Sequence, residues 1–155
     1  MTTWQVHFHA ALPRLGHRNW IVISDAAYPQ QAGKGVEVIL ADVAVDDCLK
    51  YVLKSIEEAG HITPKVLLDT ELSVLTDDLC PGVTALRDSI QFEASSLPID
   101  MAAHDIILEK INMEGADYSV LVIKTTTMIP YTSVFLRLEC GYWDKDREAI
   151  MRGRL

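Results

Sequence analysis

His17 and Asp25 stand eight residues apart near the two ends of the stretch RLGHRNWIVISDAAYPQQ, residues 14–31. The run between them, Trp20-Ile21-Val22-Ile23, needs only apolar side chains to bury itself, so polar groups flanking it point to a site. A histidine titrates near neutrality, and a carboxylate beside it orients the ring and stabilises its charged form. A loop turning back over the strand end would bring the two together as acid–base equipment. The same spacing also suits a histidine that caps a turn and an aspartate that bonds to backbone.

Other chemistries lack their motifs. His7 and His9 form an H-x-H pair, but the metal hydrolases that carry this motif on a strand need a barrel of roughly 250 residues, and the chain has 155. There is no H-E-x-x-H and no paired C-x-x-C, so no metal site is expected. A G-x-S-x-G elbow, a P-loop and a G-x-G-x-x-G turn are missing too, which leaves serine-hydrolase and nucleotide-binding templates without support. Gly33-Lys34-Gly35 reads as a turn. Cys48, Cys80 and Cys140 are odd in number and lie far apart in apolar sequence, the pattern of buried thiols rather than of a disulfide framework.

Composition narrows the partners. The formal net charge of −8 opposes binding to nucleic acid or anionic membranes, which need Lys and Arg to displace counterions. No apolar run approaches the roughly 20 residues of a membrane span. The amino terminus, MTTWQVHFHAALPRLGH, lacks the basic region, apolar core and cleavage site of a secretory signal. The chain is therefore expected in the cytoplasm, as one domain with one core.

These polar groups must be positioned by elements that the hydrophobic pattern makes legible. Candidate strands lie at 20–24, 36–40, 65–68, 118–123 and 133–139. The first four are nearly continuous in Val, Ile and Leu, as in strands covered on both faces of a mostly parallel sheet. The fifth alternates, with Val134, Leu136 and Leu138 on one face and Phe135, Arg137 and Glu139 on the other, which predicts an edge strand or a subunit contact. Three helical stripes intervene. Leu49, Val52, Leu53 and Ile56 form the first, with Asp46 or Asp47 as cap and Gly60 as stop. Leu79, Val83, Leu86 and Ile90 form the second, with Pro81 in its first turn. Ala103, Ile106, Ile107 and Ile111 form the third, ending near Gly115. Strands alternating with helices predict an α/β fold with right-handed crossovers. Its ligand crevice should lie beyond the carboxyl ends of the strands, where Asp25 stands at one end and Asp69 and Glu71 at another.

Three segments together resemble the RbsD/FucU family of D-ribose pyranase and L-fucose mutarotase. RLGHRNWIVISDAAYPQ is similar to the family's RLGH-x4-IVV-x-DAGLP signature, including the eight-residue step from His to Asp. MAAHDIILEKI resembles the segment that places a histidine or an arginine before a helix. VIKTTTMIPYTSVFLRLECG resembles the segment in which a basic residue, Ser-Gly-Glu and Pro-Tyr-x-Asn lead into the last strand. The resemblance runs in order over nearly the whole chain and implies a single-domain, three-layer RbsD-like fold with a mostly parallel central sheet. The domain would occupy residues 1–141, and residues 142–155 would form a carboxyl-terminal extension longer than the family's usual tail.

By position, the resemblance implies that His17 is the catalytic histidine and that Asp25 partners it or binds sugar hydroxyls. His104 would contact the sugar, and Tyr131 would be the tyrosine of Pro-Tyr-x-Asn. Ser133 replaces the family's Asn, Thr125-Thr126-Thr127 replaces Ser-Gly-Glu, and about five residues are inserted around 113–118. The implied reaction is cofactor-independent interconversion of monosaccharide anomers or ring forms. A base takes the anomeric proton while an acid protonates the ring oxygen, for which His17, Asp25 and Tyr131 suffice. The implied assembly is a homo-oligomeric ring or stacked rings with sites at subunit interfaces. Because the departures fall in the sugar-reading segment, a non-catalytic monosaccharide-binding or transport-associated oligomer is the alternative.

Overall fold

The computed structural model describes all residues, Met1–Leu155. Its strands are β1 (Trp20–Ser24), β2 (Val36–Leu40), β3 (Ile62–Asp69), β4 (Ile99–Ala102), β5 (Val120–Lys124) and β6 (Val134–Cys140). Its helices are α1 (Thr3–Ala11), α2 (Val45–Ala59), α3 (Val83–Glu93), α4 (His104–Gly115) and α5 (Lys145–Arg152). The six strands form one sheet in the order β2-β5-β1-β6-β3-β4. β1 and β2 pair in parallel with β5, and β3 with β4, while β6 runs antiparallel to both β1 and β3. Every strand but β6 therefore points the same way. The carboxyl ends of the other strands and the start of β6 gather at one end of the sheet.

Helices cover both faces. On one face, α1, α2 and α3 bury Trp4, Phe8, Leu49, Val52, Ile56, Leu86 and Ile90 against Ile21, Ile23, Val66, Leu121 and Leu136. On the other face α4 alone packs Ile107 and Ile111 over Trp20, Val22, Leu67, Val122 and Phe135. The result is three layers, with the sheet's alternation deciding which side chains meet which helix. Gly60 ends α2 at φ +74°, the left-handed conformation that glycine adopts without a Cβ penalty.

Several sequence expectations change. The alternating fifth strand is not at an edge: β6 lies in the middle of the sheet, its Phe135 and Leu136 both buried. Arg137 and Glu139 are partly covered rather than solvated, because Arg137 turns to Glu114 on α4. The edge strands are β2, whose Leu40 is exposed, and β4, which the hydrophobic pattern does not reveal because Ile99-Asp100-Met101-Ala102 is short and mixed. α1 and α5 likewise carry no clear apolar stripe. α1 mixes apolar and histidine positions, and α5 buries no residue at all. Ala44 rather than Asp46 or Asp47 occupies the N-cap of α2, and the two aspartates sit in its first turn. Leu79 and Pro81 precede α3, and Leu79 is exposed. Ile106 is exposed on α4, and Ala103 is that helix's N-cap. Only Cys48 is fully buried, whereas Cys80 and Cys140 are half-covered.

Candidate active site

Ile23 and Leu68 both pair with Val134, so one residue further on Ser24, Ser133 and Asp69 stand in a row on the face covered by α4. All are buried, although a strand end at a sheet margin would ordinarily expose such groups. Ser133 Oγ donates to Asp25 Oδ1 at 2.8 Å and accepts from the Asp25 backbone N–H at 3.2 Å. Asp25 is thereby drawn onto the start of β6. Neither Ser24 Oγ nor Asp69 Oδ1 bonds to any protein group.

α4 begins at this row. Its first residue, His104, directs Nδ1 at Asp69 Oδ2, 2.9 Å away, and its backbone N–H is gripped by both carboxylate oxygens of Glu71 at 3.0 and 3.1 Å. A carboxylate at a helix amino terminus satisfies one of the free N–H groups and complements the dipole. The other end of α4 is tied as well. Glu114 accepts two close bonds from Arg137 and a third from the Trp20 indole N–H. The helix is thus clamped along its length, and the His104 ring is held against Tyr131 at 5.6 Å and Phe135 at 6.2 Å between centroids.

Electrostatics follow from burial. Asp69 has no exposed surface, and burial pushes its pKa up to about 6; His104 pulls it back, while Glu71 and Asp25 push it further up. Tyr28, packed nearby, is raised to about 12 by burial and then by Asp69 and Asp25. It therefore stays a neutral hydroxyl at any physiological pH. Tyr131 projects from the turn before β6 at φ 59°, a backbone strain that bulky residues rarely accept and that concentrates at functional sites.

Asp25, His104, Tyr131 and Ser133 thus gather around Asp69 at one end of the sheet, Ser133 on Asp25 and His104 on Asp69 and Tyr131. His17 does not join them. It precedes β1, whereas Asp25 follows it, and at about 3.3 Å of rise per residue the strand holds them more than about 15 Å apart within one chain. His17 instead lines an open cavity of about 550 Å³ with Glu139, Cys140, Tyr142 and Trp143. No loop folds back to unite the pair, because the residues after Asp25 lead away to the edge strand β2, with Tyr28 packed on the α4 side of the sheet. Asp69 and Glu71 stand at the strand end where the sequence expects the ligand site, and Tyr28, packed under α4, is the neighbour that the sequence pattern does not assign to it. Asp69 and Glu71 are visible as carboxylates at a strand end, but nothing in spacing pairs them with a histidine more than thirty residues later.

Of the three threonines after β5, Thr125 and Thr127 turn inward and Thr126 stays exposed. Thr125 Oγ1 donates to the Ser24 carbonyl at 2.7 Å, Thr126 Oγ1 to the Val43 carbonyl, and Thr127 Oγ1 accepts from the Val45 N–H. They brace the crevice rather than line it. His7 and His9 fall on α1, where His9 Nε2 meets the Tyr51 hydroxyl at 2.7 Å. Gly33-Lys34-Gly35 forms the turn into β2.

Fold and site together define an α/β protein with a polar side-chain cluster at the carboxyl ends of its strands, the end at which small ligands bind in open α/β sheets. No family model matches the sequence. Among solved structures, RbsD from Bacillus subtilis complexed with D-ribose is similar to it at 20% identity and TM-score 0.59, over 86% of this chain and 91% of that one. The fucose mutarotase from Streptococcus pneumoniae in complex with L-fucose matches at 18% identity and TM-score 0.56, over 86% and 91%. FucU from Bifidobacterium longum matches at 20% and 0.54, over 86% and 94%. The chain has the RbsD-like fold.

Proposed function

We propose that the protein interconverts anomers or ring forms of a monosaccharide, by acid–base opening and closing of the hemiacetal. The observation that carries this reading is the gathering of Asp25, His104, Tyr131 and Ser133 around Asp69 at one end of the sheet, in a fold shared with proteins solved with D-ribose and L-fucose. Asp25 binds a sugar hydroxyl through Oδ2, its Oδ1 being engaged by Ser133. Tyr131 and His104 hold the sugar near its anomeric centre, and His17 exchanges a proton with it.

Since His17 lies beyond the reach of its own crevice, it enters the crevice of a second copy, and the working unit is a homo-oligomer with sites between subunits. The chemistry asks little: one positioned acid–base group contributes about 10²- to 10⁴-fold, and neither metal nor organic cofactor is needed for the proton transfers. The reaction belongs in the cytoplasm, where the sugar would be drawn into metabolism.

A second reading is favoured by Ser133: its hydroxyl is spent on Asp25, leaving one contact fewer for the sugar. On that reading the crevice binds a monosaccharide without accelerating exchange. NMR saturation transfer with D-ribose, L-fucose and other aldoses separates the two. Exchange faster than buffer that disappears in His17→Ala supports the enzyme. Saturable binding with no acceleration identifies the binding protein.

A further inference from the structure

We propose that Asp69 and His104 form one proton-handling unit, in which buried Asp69 holds the imidazole by Nδ1–H so that Nε2 acts as general base on the anomeric hydroxyl of a bound aldose. The inference rests on the reading of the crevice as a sugar site and names a base that this reading leaves open.

Three features of geometry carry it. First, the bond is directional and sequestered: Nδ1 and Oδ2 are 2.9 Å apart, the Asp69 side chain has no exposed surface, and the His104 side chain keeps 24% of its own. A carboxylate on Nδ1 selects the Nδ1–H tautomer and leaves the Nε2 lone pair for chemistry. Nε2 makes no bond to the protein. Second, the imidazole cannot swing away, because Glu71 grips the His104 backbone and the Tyr131 and Phe135 rings stand against its ring. Third, a structural role alone does not account for Asp69. A buried carboxylate is costly unless fully paired, and Asp69 leaves Oδ1 without a protein partner. A side chain retained only to fix α4 would duplicate what Glu71 already does from the same turn.

The step balances without any further reactant. Nε2 accepts the proton from O1–H as the C1–O1 bond becomes a carbonyl and the C1–O5 bond breaks. The electron pair moves to O5, which takes a proton from protonated His17. Closure from the other face, or by another hydroxyl, reverses both transfers. Asp69 remains ionised throughout and stabilises the imidazolium formed midway. Glu71 and Asp25 add negative charge beside Asp69, the neutral hydroxyl of Tyr28 lies nearby, and the Tyr131 ring stands against His104.

The experiment is a double-mutant comparison on the full chain: wild type, D69N, H104A and D69N/H104A, with exchange measured by saturation transfer and His104 followed by imidazole ¹⁵N NMR. D69N preserves shape and removes the charge. It should lower kcat by about 10²-fold or more, leave KM within about threefold, and abolish the preference for the Nδ1–H tautomer. The double variant should lose no more than H104A alone, because residues acting as a unit are non-additive. A D69N enzyme with kcat within threefold of wild type, losses that multiply in the double variant, or a wild-type His104 in the Nε2–H tautomer would each overturn the pairing. Exchange absent from the wild type with every sugar would defeat the enzymatic reading itself. Full wild-type activity, lost in His17→Ala but untouched in D69N, would defeat the pair alone.

Discussion

Asp69 reaches the folded state with its carboxyl covered and one oxygen unpaired, and this makes the folded protein's stability depend on pH in a defined direction. Its pKa rises from 3.8 to about 6, so the folded chain holds a proton that the unfolded chain has already released between these values. The protonated carboxyl is buried without ionic cost below about pH 4, and the cost is complete above about pH 6. D69N should therefore be more stable than wild type at pH 7, by on the order of 3 kcal/mol, and the advantage should shrink as pH falls to 4. Thermal melts of both proteins at the two pH values check this. Equal gaps at both would mean that Asp69 is not raised by its burial. The same substitution is expected to stabilise the fold and to slow the reaction, the trade-off common at sites that hold charge in a dry place.

At the scale of elements, α4 does the positioning. It is the sole helix on its face of the sheet, and its ends are tied by acidic side chains of opposite purpose. Glu71 supports the amino end, where the helix dipole favours it, and Glu114 anchors the carboxyl end through Arg137 and Trp20. Burial raises the Glu114 pKa, but the bonds from Arg137 and Trp20 outweigh it and leave the pKa below the usual carboxylate range. Glu114→Gln should cost about 1.5–3 kcal/mol, the range for hydrogen bonds to charged groups, and should speed amide exchange in α4 before it does so in α2. Denaturant melts and hydrogen-exchange NMR read both effects. A loss spread evenly over the molecule would show that the clamp is not local to α4.

At the scale of the whole molecule, β1 separates His17 from the crevice, so an active site that uses both must be shared between copies. Closed symmetric assemblies meet this requirement by repeating one interface around an axis. His17→Ala and His104→Ala should each be inactive alone. Dissociated, mixed and reassembled, they should regain part of the wild-type rate, since some sites then receive both histidines. No recovery in assemblies shown by mass spectrometry to be mixed would place His17 outside the reaction. The tail belongs to this scale too. Gly141 lies so close to the backbone of Gly60 that a Cβ there would stand 2.6 Å from its carbonyl oxygen, and α5 then runs on without burying a residue, beside the cavity that contains His17.

Much of this was legible along the chain, because strands such as 20–24 and 120–124 are encoded by local runs of Val, Ile and Leu, and Gly60 marks the end of α2 by its left-handed conformation. The RLGH, HDIILEKI and IPYTS segments likewise carry their own residue types, so His17, Asp25, His104, Tyr131 and Ser133 stand out by residue type and order along the chain. What folding alone decided is distance. Whether alternating 133–139 is an edge or a central strand depends on which strands flank it, and both β1 and β3 do. Whether His17 meets Asp25 depends on which end of β1 each occupies, and Asp69 finds His104 only because β3 and α4 finish and start at the same end of the sheet. Residue type and local period are written in consecutive positions, whereas side chains that meet across strands are brought together by a topology to which no short stretch of sequence is confined.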